Sequence, residues 1–458
     1  MEAPPWLAYL APPALTGPHG ARFMVVEPEA ATPFTPLPKS ASQTRNMTAS
    51  PAPPWLAQLT RCGLRALQLG GRTLLPIVQG GMGVGVSAHR LAGSVASHGA
   101  VGTISSVDLR RHHADLMDRS SGMPPGAELK AVINAANVEA LRREIALARQ
   151  LAGGRGRLAV NVMRAVSDYA SSVQTALECG IDAVVVGAGL PLDLPDLARD
   201  HPQTLLVPIL SDSRGVSLLV KKWERKKRLP DAIVIEHPRW AGGHLGAARI
   251  ADLHDPRFDF ERVIPETLAF LRSAGIEREL PLIAAGGVRS FEDIQRLQSL
   301  GAAAVQLGTP FVATEECDAH PAFKQVLAQA GEDDVVELTS VAGLPARAVL
   351  TPWLRNYLKA EPRLQSTAHK KPRCVMSFDC LAQCGLRDGT AGWGQFCIDK
   401  QLAAALRGDV AKGLFFRGAG ALPFGSAIGT VAQLLQRLMS PGMALGTPPE
   451  VTIAAVAA

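Results

Sequence analysis

The sequence predicts an α/β fold, a (β/α)8 barrel flanked by a disordered N-terminal extension and a mostly helical C-terminal appendix. Three observations carry this. Eight short apolar runs rich in Val, Ile and Ala recur between residues 74 and 309, and amphipathic helical patterns fill most of the gaps. Near-continuous apolar strands are those of a parallel sheet buried on both faces. The composition agrees: 43 glycines and only 5% aromatics favour close-packed α/β layers over an aromatic-rich β-sandwich. Eight strand-plus-helix units in about 240 residues fit a closed barrel, with an open doubly wound sheet as the alternative.

The elements follow in order. Residues 1–55 are rich in Pro, Ala, Ser and Thr without sustained periodicity, and disorder is expected there. Within them "PPWLAYL" (4–10) is echoed by "PPWLAQL" (53–59). Met47 precedes the second copy and is a candidate translation start, which native peptides from 1–46 would exclude. The strand runs are "LLPIVQG" (74–80), "AVGTIS" (100–105), "RLAVNVM" (157–163), "DAVVVGAG" (182–189), "TLLVPIL" (204–210), "DAIVIEH" (231–237), "PLIAAGG" (281–287) and "AAVQLGT" (303–309). Helical patterns include 138–152, 168–180, 255–275 and 291–301, the last with Ser290 as N-cap and Gly301 as terminating glycine. Residues 110–135 form a longer connection, a candidate lid. The domain boundaries are set at 1–55 for the extension, 56–325 for the barrel and 326–458 for the appendix, which ends in the helical pattern 427–439.

Bulk properties exclude several functions. The net charge of +6 is modest for 458 residues, and the one basic run, "KKWERKKR" (221–228), contains a glutamate and reads as a solvated helix face. No nucleic-acid partner is expected. No apolar run reaches transmembrane length and no basic-then-apolar leader opens the chain, so neither a membrane nor a secretory route is expected, and a cytoplasmic location follows. Seven cysteines make no disulfide framework.

A barrel places its chemistry just after its strands. "IAAGGVRSFEDI" (283–294) ends a strand on Gly286 and Gly287 and opens a helix. "VQLGTPF" (305–311) ends the next strand with Gln306, Leu307, Gly308 and Thr309. Glycines admit close backbone approach, and loops after the last two strands form a phosphate site. After the first strand, "QGGMGVG" (79–85) lacks the third glycine of a dinucleotide fingerprint. A flat aromatic ligand over exposed backbone explains Gly80, Gly81 and Met82 better, although Met82 also reads as core. After the sixth strand comes "EHPRWAGGHLG" (236–246). By itself His244 reads as a loop histidine. Its place at the barrel mouth, beside a phosphate site, makes it the candidate base.

"PIVQGGMGVGVS", "LAVNVM", "AGGHLG", "IAAGGV", "VQLGT" and "GLPAR" occur in the order found in nitronate monooxygenases, and residues 73–350 resemble that family. The resemblance implies an FMN-bound TIM barrel that needs no metal for its flavin chemistry. It implies oxidation of alkyl nitronates, such as propionate 3-nitronate, by O2 to carbonyl compounds with release of nitrite. It carries the active-site base, or polar partner of the substrate, onto His244. The FMN contacts fall on Gln79, Gly81, Met82, Asn161, Glu236, Gly242, Gly243, Gly286, Gly287, Gln306, Leu307, Gly308 and Thr309. The link "EHPRW" departs from the family pattern and is expected to bear on substrate choice. Flavin-dependent NAD(P)H enoyl-acyl carrier protein reductases share the barrel and the Gly-Gly-His, and stand as the alternative. Cys374, Cys380, Cys384 and Cys397 have no C-x2-C spacing and read as thiols of the appendix, with zinc or an iron–sulfur cluster as the other reading.

Overall fold

The computed structural model describes residues 54–276, 280–370, 374 and 380–446. The expected disordered extension lies outside these residues except for its last two positions. Thirteen strands occur among the described residues: β1 (Leu67–Leu69), β2 (Arg72–Leu74), β3 (Ile77–Gln79), β4 (Val101–Ser105), β5 (Arg157–Met163), β6 (Ala183–Gly187), β7 (Leu205–Leu210), β8 (Ile233–Glu236), β9 (Gly243–His244), β10 (Leu282–Ala285), β11 (Ala304–Leu307), β12 (Val335–Thr339) and β13 (Pro345–Val349).

Strands β3 to β8, β10 and β11 close a parallel barrel, each lying within one of the eight apolar runs. The ring shuts where β11 pairs with β3, Val305 opposite Ile77. Side chains alternate along each strand. Leu158, Val160 and Val162 point outward to the helices, whereas Ala159 belongs to the cluster inside the barrel. The same parity turns Asn161 and Glu236, at the ends of β5 and β8, toward the barrel axis.

The antiparallel hairpin β1–β2 is an element absent from the sequence reading. Its Leu67, Leu69 and Leu74 pack with Val101, Ala159, Ala183 and Leu205 and plug the N-terminal end of the barrel. The opposite end is left for the site. The helix Phe291–Ser299 begins at Ser290 with a full capping box to Asp293, and Gly301 beyond it has φ +110°, as the sequence predicts. The basic run 221–228 is helical only to Glu224, and its Trp223 is fully buried, donating Nε1–H to the Pro191 carbonyl at 3.1 Å.

The connection expected as a lid, 110–135, is buried at Arg110, Leu116, Leu129 and Ile133 and otherwise half-buried or exposed, and the helix Ala127–Ala152 starts well before residue 138. Glu144 on that helix is fully buried. It accepts bonds from His89 N and Nδ1, both at 2.8 Å, and lies 2.9 Å from His113 Nε2. Burial pushes the Glu144 carboxyl up, but the His89 bonds outweigh it and hold the group below its ordinary value. The hydrogen bond to Glu144 raises His89. Glu144 therefore contributes stability that is lost as pH falls through its depressed pKa, and His89 contributes stability that is lost as pH rises through its raised one. Glu144→Ala strands the histidines and is expected to cost about 3–5 kcal/mol in denaturant unfolding near neutral pH. A loss under about 1 kcal/mol would show that the network carries no net stability.

Past the barrel, β12 and β13 join β9 in a three-stranded antiparallel sheet. The rest of that segment is mostly helical, with helices Pro352–Ser366, Ile398–Leu406 and Val431–Leu438.

Candidate active site

A cavity of about 290 Å³ opens at the C-terminal mouth of the barrel. Every residue expected to bind the cofactor lines it except Gln79, and so does His244. Gln79 is a correction. In the three-residue β3, Ile77 faces the helices and Val78 the barrel interior, so the pleat turns Gln79 outward again. Its amide bonds the Thr103 backbone, accepting from N at 2.8 Å and donating to O at 3.0 Å, and also donates to Gly80 O. Gln79 braces the glycine loop from behind.

That loop comes very close to β5. A Cβ on Gly81 would sit 2.3 Å from Asn161 Cβ, so only glycine lets the main chain lie against Asn161. Asn161 donates Nδ2–H to Val185 O at 3.4 Å. Gly80 N donates to Leu307 O at 2.9 Å, which puts the Leu307 backbone on the wall, while Leu307 belongs to the core outside the barrel. Glu236 is partly exposed to the cavity, and burial raises its carboxyl to about 7.

The loops after β10 and β11 meet as expected. Gly286 and Gly287 have φ of +100° and +77°, values L-residues avoid. The start of the following helix, however, is closed to ligands: Asp293 Oδ2 accepts the N–H groups of Arg289 at 2.8 Å and Ser290 at 3.1 Å. The charge at this end comes instead from Arg289, absent from the sequence reading. It lines the cavity, and its guanidinium has no hydrogen-bond or ion-pair partner among the described residues. Thr309 Oγ1 accepts Gly418 N–H at 2.9 Å, drawing a second glycine loop, "RGAG" (417–420), onto the wall. The buried Arg417 shapes that loop, donating to Gly418 O at 2.8 Å and Gly420 O at 3.1 Å.

His244 sits on β9, opposite Ala346 of β13, with Gly243 opposite Arg347. Buried Arg347 donates to Ala241 O at 2.5 Å and Pro238 O at 3.2 Å and pairs with Glu337 at 2.6 Å, clamping the turn before the histidine. The "GLPAR" stretch is thus the strand that holds the candidate base. His244 Nε2 lies 3.0 Å from Ser340 Oγ, and its ring packs 5.8 Å from Phe416. Burial among these groups pushes its pKa down to about 4, so the imidazole is neutral at neutral pH.

Of the "EHPRW" link, Glu236 and Trp240 line the cavity, beside which the sequence places it. Trp240 packs over Gly287, where a Cβ would come 3.0 Å from its ring. Buried His237 stands edge-on to Trp240 and Phe260, 6.4 and 5.1 Å away, and burial lowers its pKa. The link thus also braces the loop after β10 at Gly287. The far wall is built by Asp108, Asn137, Asp168, Cys380 and Asp399, of which the sequence singles out Cys380 alone, as an appendix thiol or metal ligand. There Asp108 pairs with Arg110 at 2.8 Å and Asp399 with Arg111 at 2.9 Å. Burial lifts Asp399 to about 6.

Glycine loops at the mouth of a parallel barrel, next to a half-buried histidine, form the candidate active site. The family profile described as nitronate monooxygenase matches residues 72–440, and the chain belongs to that family. It is a flavin-dependent oxidoreductase. It is similar to a probable nitronate monooxygenase of Bacillus subtilis (25% identical over 294 residues, 61% of this chain and 77% of the relative). It is also similar to a nitronate monooxygenase of Pseudomonas aeruginosa (36% over 99 residues, 21% and 25%). FabK from Thermotoga maritima shares the fold, with a TM-score of 0.56 at 22% identity over 83% of this chain and 94% of that one. So does the nitroalkane oxidase of Streptomyces ansochromogenes, at 0.54 and 19% over 83% and 96%. Among the described residues no helix is long and apolar enough to cross a membrane.

Proposed function

We propose that the enzyme holds FMN and oxidises alkyl nitronates with O2 to aldehydes or ketones and nitrite. The observation that carries this reading is His244: a neutral imidazole, fixed by strand pairing and by Ser340, on the wall of the glycine-lined cavity. FMN, when bound, supplies the redox chemistry. The residues present fit it: main chain at Gly81 and Gly242 offers flat apolar surface for a ring, with Met82 and Asn161 beside it. Backbone at Gly286, Gly287 and Gly308, Gln306, the Thr309 hydroxyl and Arg289 suit a phosphate.

The chain's part is orientation and proton handling. A nitronate is already an anion, and the site has only to hold it against the ring. A neutral nitroalkane must first lose its α-proton, which the unprotonated His244 accepts. Glu236, with a carboxyl near 7, supplies a hydrogen-bond donor in its protonated fraction.

Anaerobic mixing of the purified flavoprotein with propionate 3-nitronate, and separately with NADH, tests the reading. Flavin bleaching by nitronate alone supports it. Bleaching by NADH alone overturns it in favour of the enoyl reductase alternative on the same barrel, and bleaching by neither points to a flavin carrier without turnover. Arg289 tests the phosphate assignment. Arg289→Ala is expected to weaken FMN binding by roughly 10-fold or more while leaving riboflavin, which has no phosphate, unchanged in fluorescence titrations of stripped protein. Equal effects on both ligands would remove Arg289 from that role.

A further inference from the structure

The cavity extends past the residues suited to the cofactor. The loop that offers Gly81 and Met82 continues into Val84 and Val86, which are buried and also line the cavity. The appendix helix Ile398–Leu406 adds Ile398 and Leu402, four residues apart and so on one face. Buried Leu381 lines the cavity next to Cys380 in the chain. Apolar surface therefore leads from the glycine loop toward the far wall, and an alkyl chain fits such a surface.

The far wall itself carries charge of one sign. Asp108, Asp168 and Asp399 line the cavity, whereas Arg110 and Arg111 do not. The two guanidinium groups stand behind the carboxyls. Arg111 Nε pairs with Asp108 Oδ2 at 2.5 Å and its Nη2 with Asp399 Oδ2 at 2.9 Å, while Arg110 Nε pairs with Asp108 Oδ1 at 2.8 Å. Three carboxyls thus face the cavity in front of two cations. Asp168 is the one left over: it accepts the Ser172 hydroxyl at 3.3 Å and has no ion pair among the described residues. Burial raises its carboxyl, as it does that of Asp399. Among the described lining residues Arg289 alone carries a fixed positive charge, and it stands with the phosphate loops, against Gly420.

A second negative charge on a substrate would therefore meet this wall with no cation free to pair with it. Like charges brought together in a partly desolvated cavity repel strongly, and such repulsion is one of the two routes to specificity. We propose that the non-reacting chain of the substrate lies along the apolar lining, and that Asp168 and Asp399 select alkyl nitronates with an uncharged chain over those that end in a carboxylate. The proposal rests on the reading of the enzyme as one that oxidises nitronates beside His244.

A carboxylate has the planar, anionic shape of a nitronate without its reactivity. Butanoate thus stands in for propyl 1-nitronate, and succinate for propionate 3-nitronate. Their dissociation constants for the oxidised holoenzyme, read from the perturbation of flavin absorbance, test the wall without turnover. Butanoate is expected to bind at least about 10-fold more tightly than succinate. Each methylene added up to hexanoate should gain about 3–4-fold. Asp168→Asn, close in shape to the original, should lower the ratio between butanoate and succinate by about 3-fold or more. In steady-state kinetics, kcat/KM for propyl 1-nitronate should exceed that for propionate 3-nitronate by a factor similar to the binding ratio. Succinate binding as tightly as butanoate, or neither ligand perturbing the flavin, overturns the proposal whether or not the variant folds. If the two ligands differ as expected but neither nitronate reduces the flavin, the selection by the wall stands and the nitronate reading falls.

Discussion

His244→Ala is expected to lower kcat/KM for a neutral nitroalkane by about 10²–10⁴-fold, the usual contribution of a positioned base, and to affect a preformed nitronate far less. The difference isolates proton removal, because both substrates meet the same cavity and the same flavin. The pH profile adds a second reading. Burial holds His244 near 4, so the base is unprotonated at every pH above about 5. With the neutral nitroalkane, wild-type kcat/KM should fall only as pH drops through about 4, where the imidazole gains its proton. An unperturbed histidine would place that limb near ~6.5. The variant should lack the limb and retain its flavin, since no charge or cofactor-facing main chain is removed. Full activity on both substrates, or a limb near the ordinary histidine value, would take the base role away from His244.

The second large effect is expected from one methyl group. A Cβ on Gly242 would lie 2.5 Å from Gly418 N and 2.6 Å from Arg417 C, both main chain. Neither atom can swing aside as a flexible side chain would. Gly418 is tied to Thr309, Ala419 N donates to Trp240 O at 3.1 Å, and Arg417 holds the loop from within. Gly242→Ala must push the two glycine loops apart. Overpacking of this kind costs about 1–3 kcal/mol. The larger readout is the cofactor: flavin affinity should fall by roughly 10-fold or more as the cavity wall moves. Gly126→Ala is the control, because nothing lies within 4 Å of its added carbon. Flavin titration and thermal melting of the three proteins decide the matter; a Gly242→Ala protein indistinguishable from wild type would show that the loops yield freely.

The barrel was legible because each of its strands is buried on both faces and is therefore written as an unbroken apolar run. The hairpin β1–β2 was not, since its strands are three residues long and half of their residues, Gln68, Arg72 and Thr73, are polar and exposed, although Gly70–Gly71 between them is a hairpin signal. Site residues at strand ends followed from the rule that barrels concentrate function at that face. Gln79 escaped the rule because the pleat of so short a strand is invisible without its neighbours' burial. Asp108, Asp168 and Asp399 reach the cavity through packing between distant segments, which no local pattern records. The glycine run at 417–420 did carry a signal, of the same kind that marked Gly286 and Gly287.

The sheet that joins β9 to β13 has a consequence for how the enzyme comes into being. The last barrel strand ends at Leu307, yet Ser340, which fixes His244, lies 96 residues beyond it in sequence, and Gly418 lies 109 beyond Thr309. On the ribosome, all eight barrel strands emerge before the segments that hold His244 and complete the cavity wall. The nascent barrel is thus a scaffold whose cavity is finished last, when the final third of the chain folds back over the mouth.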